Sequence, residues 1–97
     1  MRRLRLVWPV AELPRFRVVF EEEAAEFLAA LTRRKSRRLL DIARTLADHP
    51  FGSPDYVLPD ADGRDIFHVL TEGYVISYWV DAPVKRVVIV EIEPVEI

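Results

Sequence analysis

Ninety-seven residues, 51% hydrophobic and 31% charged, fit one globular domain and exclude both a disordered and a membrane-embedded chain. The net charge of −2 singles out no class of partner, and the absence of cysteine removes disulfides, thiolate metal sites and thiol nucleophiles. The charge is unevenly spread: residues 1–48 hold eleven Lys/Arg against seven Asp/Glu, and residues 49–97 hold three against nine. The first half is therefore basic and the second acidic. Twelve of the fourteen basic residues are Arg, a bias that genome base composition also produces.

Residues 1–13 open with Leu4, Leu6 and Trp8 alternating with Arg5 and Val7, punctuated by Pro9 and followed by Pro14. This pattern suits an N-terminal arm or an extra edge strand. Arg5 and Pro9 interrupt the apolar stretch, so it does not read as a secretion signal. No run reaches membrane-spanning length. A cytoplasmic location is expected.

Arg15–Phe20 predicts a strand, with Phe16, Val18 and Phe20 on one face. A helix begins at Glu21, where Ala24, Phe27, Leu28 and Leu31 repeat at the spacing of one buried stripe. Glu21, Glu22 and Glu23 suit its first turn, because carboxylates complement the exposed amide dipoles there. Thr32 caps or breaks the chain, and a second helix runs to about Asp48, with Leu39, Leu40, Ala43, Leu46 and Ala47 as its apolar positions. A link this short predicts an antiparallel helix hairpin. His49-Pro50 ends it, and residues 49–63 read as a loop rich in Pro and Gly.

Three strands follow, at Asp65–Thr71, Tyr74–Val80 and Val84–Ile92, separated by Glu72-Gly73 and Asp81-Ala-Pro83. The order is β-α-α-β-β-β, an α+β domain in which the two-helix hairpin packs on a small antiparallel sheet. On the middle strand Tyr74, Ile76, Tyr78 and Val80 share a face opposite Val75, Ser77 and Trp79. On the last, alternation groups Val88, Val90 and Ile92 against Val87 and Ile89. Both faces are apolar, whereas a two-layer domain usually leaves one wet. The second face is therefore expected to be covered by the arm or to bind a partner.

The densest basic cluster is Arg33-Arg-Lys-Ser-Arg-Arg38. Arg33, Arg34, Arg37 and Arg38 could contact phosphates, with Arg64 and Lys85 as further cations, or could form a solvated helix surface. No aromatic residue is interleaved to stack bases. Asp60-Ala-Asp-Gly-Arg-Asp65 has its Gly two places early for a calcium loop and reads as an Asp-Gly turn. His49 and His68 are too few for a zinc site. His68 alternates with Ile66 and Leu70, and could work as an acid or base near neutral pH or be a hydrogen-bonded strand residue. No metal or other cofactor is expected.

Several phrases in this order resemble the RelE/ParE toxin superfamily of type II toxin–antitoxin modules. They are Val18-Val-Phe20 running into Glu21-Glu-Glu-Ala-Ala-Glu-Phe-Leu28, then Leu46-Ala-Asp-His-Pro50, Gly63-Arg-Asp-Ile-Phe-His-Val-Leu70 and Glu72-Gly-Tyr-Val-Ile-Ser-Tyr78. The match spans about residues 15–92. The resemblance implies a cupped sheet backed by two helices and a cognate antitoxin that wraps the toxin. Some members cut mRNA on the ribosome, and others poison gyrase.

Basic residues common along the first of the three strands are replaced here by His68 and Leu70. Val75 stands where the family's next strand often has Arg, and the tail is Glu91-Ile-Glu-Pro-Val-Glu-Ile97. Cleavage needs cations to stabilise the developing phosphorane, and an acidic surface repels RNA. The expected function is therefore a toxin-like component acting by protein binding and neutralised by an antitoxin. The alternatives are a ribosome-dependent mRNA endoribonuclease with a rearranged, metal-independent site, and a non-toxic repurposed domain that dimerises. For the nuclease alternative the candidate catalytic residues are His68, Tyr78 and Arg86.

Overall fold

The computed structural model describes residues 16–95. The elements in chain order are β1 (Arg17–Phe20), α1 (Glu22–Ala29), α2 (Arg33–Asp48), β2 (Tyr56–Pro59), β3 (Asp65–Thr71), β4 (Tyr74–Asp81), a 3-10 turn (Ala82–Val84) and β5 (Arg86–Pro94). The five strands form one sheet in the order β1-β5-β4-β3-β2. The arm or extra strand expected at residues 1–13 lies outside the described residues. Among the described residues no helix is long and apolar enough to cross a membrane.

The α+β architecture is the one expected, with two differences in the sheet. First, β2 occupies part of what reads as a loop. It has only four residues and ends in Pro59, a residue tolerated on an edge strand because no ladder hydrogen bond is required on its outer side. Asp55 ties this edge down: its N–H donates to the His68 carbonyl at 2.9 Å, and its carboxylate accepts from the Leu70 N–H at 2.7 Å. Second, the sheet is mixed. β1 runs parallel to β5, while every other pair is antiparallel. β1 and β2 lie at opposite edges, so the helix hairpin between them must cross one face of the sheet.

That crossing builds the core. α1 packs chiefly on β5, and α2 on β1 and β5. Ala24 and Leu28 of α1 and Leu39, Ala43 and Ala47 of α2 are buried against Ile76, Tyr78, Val87, Ile89 and Ile92. The Leu39/Ala43/Ala47 stripe puts two small residues where α2 meets the sheet, which permits close approach. Each large apolar side chain in this layer contributes about 1.5–3 kcal/mol through burial. The Thr32 hydroxyl accepts from the Lys35 N–H at 3.3 Å, as an N-cap should.

The β3–β4 hairpin closes through Glu72 (φ 55°) and Gly73 (φ 84°). Both central residues are left-handed, which is the turn geometry matching strand twist. The pairing of β4 with β5 slips between Ser77 and Tyr78: Ser77 faces Glu91, but Tyr78 faces Ile89. Val90 is the extra residue of a β-bulge. The bulge reverses the alternation of β5. Ile92 consequently joins Val87 and Ile89 under the helices, not Val88 as strict alternation predicts. Glu91 and Glu93 turn to the second face.

Candidate functional site on the second face of the sheet

The side of the sheet away from the helices gathers chemistry that the core excludes. Alternation along β3 puts Ile66, His68 and Leu70 there, and the turn register pairs His68 with Ser77 of β4 and with Tyr56 of β2. His68 Nδ1 and Ser77 Oγ lie 3.0 Å apart and share a hydrogen bond whose direction follows the tautomer. The Tyr56 ring stacks on the imidazole with centroids 4.4 Å apart and planes 9° from parallel. Burial lowers the His68 pKa, and the negative charge of Glu93 partly offsets this. Burial, the larger of the two effects, favours the neutral imidazole.

Across β4, Ser77 pairs with Glu91, and Glu93 lies two residues further on the same strand. A hydrogen bond with Glu93, partial burial, and repulsion from Glu93 and Glu23 push the Glu91 carboxyl up to about 7. Ile66, His68, Ser77 and Glu91 border a shallow groove of about 380 Å³.

Asp60 and Arg64 close the other end of this groove. The Asp60 carboxylate accepts from the Asp62 and Arg64 N–H groups at 2.8 and 2.9 Å and binds the Arg64 guanidinium at 2.9 Å. These hydrogen bonds, led by the Arg64 N–H, hold the Asp60 pKa below the usual carboxylate range. With its oxygens so committed, Asp60 organises an Asp-Gly turn. Arg64 lies 4.2 Å over the Trp79 ring, a cation–π contact. Among the described residues the buried Trp79 Nε1 finds no hydrogen-bond partner.

The candidate catalytic residues His68, Tyr78 and Arg86 are not brought together. Tyr78 projects to the helix side, only 1% exposed, with its ring edge-on to Phe67 at 5.3 Å. Burial raises its hydroxyl pKa. Arg86 shares the second face with His68 but pairs with Asp81, four residues along β4 from Ser77, or about 13 Å of strand. Its guanidinium sits 3.7 Å from the Asp81 carboxylate.

The candidate phosphate contacts are likewise dispersed. Arg33, Arg34, Arg37 and Arg38 are exposed at the start of α2, where Arg38 binds Glu72 at 2.9 Å. Arg64 is paired with Asp60. Lys85 lies beyond the 3-10 turn with its Nζ 5.3 Å from the Phe16 ring centroid. Among the described residues no group of three or more His, Asp or Glu side chains could hold a metal ion.

No family model and no curated protein matches this sequence. Solved structures do. A chain of the toxin–antitoxin complex RelBE2 from Mycobacterium tuberculosis superposes with a TM-score of 0.68 at 22% identity, covering 84% of this chain and 100% of that one. A chain of the archaeal RelE–RelB complex from Pyrococcus horikoshii gives 0.65 at 22% identity, with 81% and 93% covered. A chain of the intact Escherichia coli RelBE complex gives 0.57 at 18% identity, with 84% and 99% covered. The chain has the RelE-type fold that its sequence phrases resemble.

Proposed function

We propose that this chain is a toxin-like component of a type II toxin–antitoxin module, acting by binding protein and neutralised by a cognate antitoxin. The fold is shared with chains of RelE–RelB complexes, which supports an antitoxin partner. The observation that carries the protein-binding reading is the charge state of the second face. Of its cations, Arg64 and Arg86 are each matched by a carboxylate, Asp60 and Asp81, while Arg17, beside Arg86 in the β1–β5 register, has no carboxylate partner among the described residues. Glu93 adds negative charge to the same face, and Glu91 adds more as it ionises through about pH 7. Phosphoryl chemistry needs cations aimed at the developing charge, and prior ion pairing engages two of these three. What remains exposed at that edge is apolar: Tyr56, Leu58 and Leu70 are 42%, 53% and 48% accessible. Aromatic and aliphatic groups beside paired charges suit a protein surface better than a phosphate backbone.

The test is inducible expression in a bacterium, with RNA 5′ ends mapped and DNA gyrase assayed. Growth arrest without new RNA ends supports the proposal, and arrest with inhibited gyrase would name the target. Codon-phased mRNA cuts would overturn it in favour of a ribosome-dependent endoribonuclease. A chain that never arrests growth would also overturn it and leave a non-toxic dimerising domain. Cutting, if observed, is predicted to be lost in His68→Ala and Arg86→Ala.

A further inference from the structure

A second groove lies on the opposite side of the molecule, where the first turns of α2 meet the β3–β4 hairpin. Its volume is about 520 Å³. Leu39, Tyr74 and Pro94 line it, and Arg34, Lys35 and Arg38 stand beside them. Two features of this groove are unusual together.

The first is uncompensated charge. Residues 33–38 carry five cations, and α2 has no acidic residue in its first turn. Cations there oppose the helix dipole, in contrast to α1, which begins with Glu22 and Glu23. Among the described residues only Arg38 of these cations has a carboxylate partner, Glu72, at 2.9 Å, with Asp41 a weaker influence on it. Among the described residues, no carboxylate lies within ion-pairing distance of Arg34 or Lys35. An anionic group at the groove would relieve this repulsion.

The second is the apolar floor. Tyr74 is fixed edge-on against Phe27, with ring centroids 5.8 Å apart and planes at 80°. Tyr74 is the single aromatic ring of this lining, and residues 33–38 contain none, so the groove offers no row of rings on which successive bases could stack. A nucleic acid could use the cations through its phosphates but would find one ring to stack on and leave the aliphatic part of the floor unused. A peptide with an apolar side chain flanked by carboxylates uses both.

We infer that the groove formed by α2 and the β3–β4 hairpin binds an acidic, apolar-anchored segment of a partner protein, seated on Tyr74 and Pro94 above the buried Leu39, with its carboxylates on Arg34 and Lys35. This does not depend on the toxin reading, because it concerns a different face and would hold for a non-toxic chain.

The experiment uses the purified full chain and a fluorescein-labelled helical peptide in which Leu recurs at helical spacing between Glu residues, read by fluorescence anisotropy. The Glu peptide should bind, its Lys counterpart should not, and rising salt should weaken binding. The double variant R34E/K35E, on exposed side chains, should lose at least about tenfold in affinity while keeping its circular dichroism spectrum. Pro94→Asp should also weaken the peptide. R33E/R37E, at positions outside the groove lining, should have a smaller effect. Amide NMR shifts on titration should centre on Arg34, Gly73 and Tyr74. Equal losses from both charge-reversal pairs would overturn the inference, as would undiminished binding in R34E/K35E. Tighter binding of a single-stranded RNA oligonucleotide that displaces the peptide would also overturn it and assign the cluster to phosphate.

Discussion

Tyr56 and His68 stack ring on ring with centroids 4.4 Å apart, one on the edge strand β2 and the other inside the sheet on β3. The edge strand therefore covers the only imidazole on the second face. Burial lowers the His68 pKa, so Tyr56→Ala should raise it toward the ordinary histidine value. An NMR titration of the imidazole proton checks this. An unchanged midpoint would mean that the tyrosine contributes nothing to the burial. Losing the stacked pair should also cost about 1 kcal/mol of stability.

Glu91 should make stability depend on pH in the opposite sense to most carboxylates. Its folded pKa is raised to about 7 from an ordinary value of 4.5. A raised value means that the folded state holds the proton more tightly. The stabilisation is complete below the unfolded pKa and disappears as pH rises through about 7. The lowered His68 pKa works the other way, losing stability as pH falls through its folded value. The Glu91 displacement is the larger, so net stability should fall between pH 5 and 8. Glu91→Gln should flatten that fall in urea unfolding curves. An equally steep fall in the variant would assign the dependence to other groups.

Most of the fold can be read from spacing. The α2 stripe Leu39/Ala43/Ala47 and the alternation of β4 are regular, and both elements form where the pattern puts them. The parity of β5 cannot be read that way. Val87 to Val90 are apolar at every position, so nothing in the sequence marks the Val90 bulge that turns Glu91 and Glu93 to the second face. β2 is too short and too rich in neighbouring prolines to signal a strand. The parallel placement of β1 beside β5 depends on how the helix hairpin crosses the sheet, which no local pattern encodes. The site is a mixed case. Given the two-residue Glu72-Gly73 turn, counting back from Thr71 opposite Tyr74 pairs His68 with Ser77, so that contact was available from sequence. Its Tyr56 cover was not, because β2 was not.

The hairpin turn should be sensitive to substitution although it is exposed. Gly73 has φ 84°, and a Cβ there meets nothing within 4 Å, so the cost of a side chain is conformational and not steric crowding from neighbours. Gly73→Ala should lower stability by about 1–2 kcal/mol. Chemical denaturation measures it. Glu72→Asn at φ 55° should be tolerated better, because Asn enters the left-handed region more readily. Equal stability for wild type and Gly73→Ala would imply that the turn changes type.

Tyr78 tests whether this residue acts through chemistry or packing. Its side chain is 1% exposed on the helix side of the sheet, against Phe67 and away from His68. Tyr78→Phe keeps the ring and its edge-on contact, so stability should change little, and growth arrest, if the chain causes it, should persist. Tyr78→Ala removes a core aromatic and should cost about 3–5 kcal/mol. A packing role thus predicts a large loss for Ala and near-normal behaviour for Phe. The opposite split, with Tyr78→Phe fully folded by circular dichroism yet inactive, would require the hydroxyl to reach a substrate. That outcome would demand a rearrangement of β4, since the ring and the imidazole now lie on opposite faces of the same sheet.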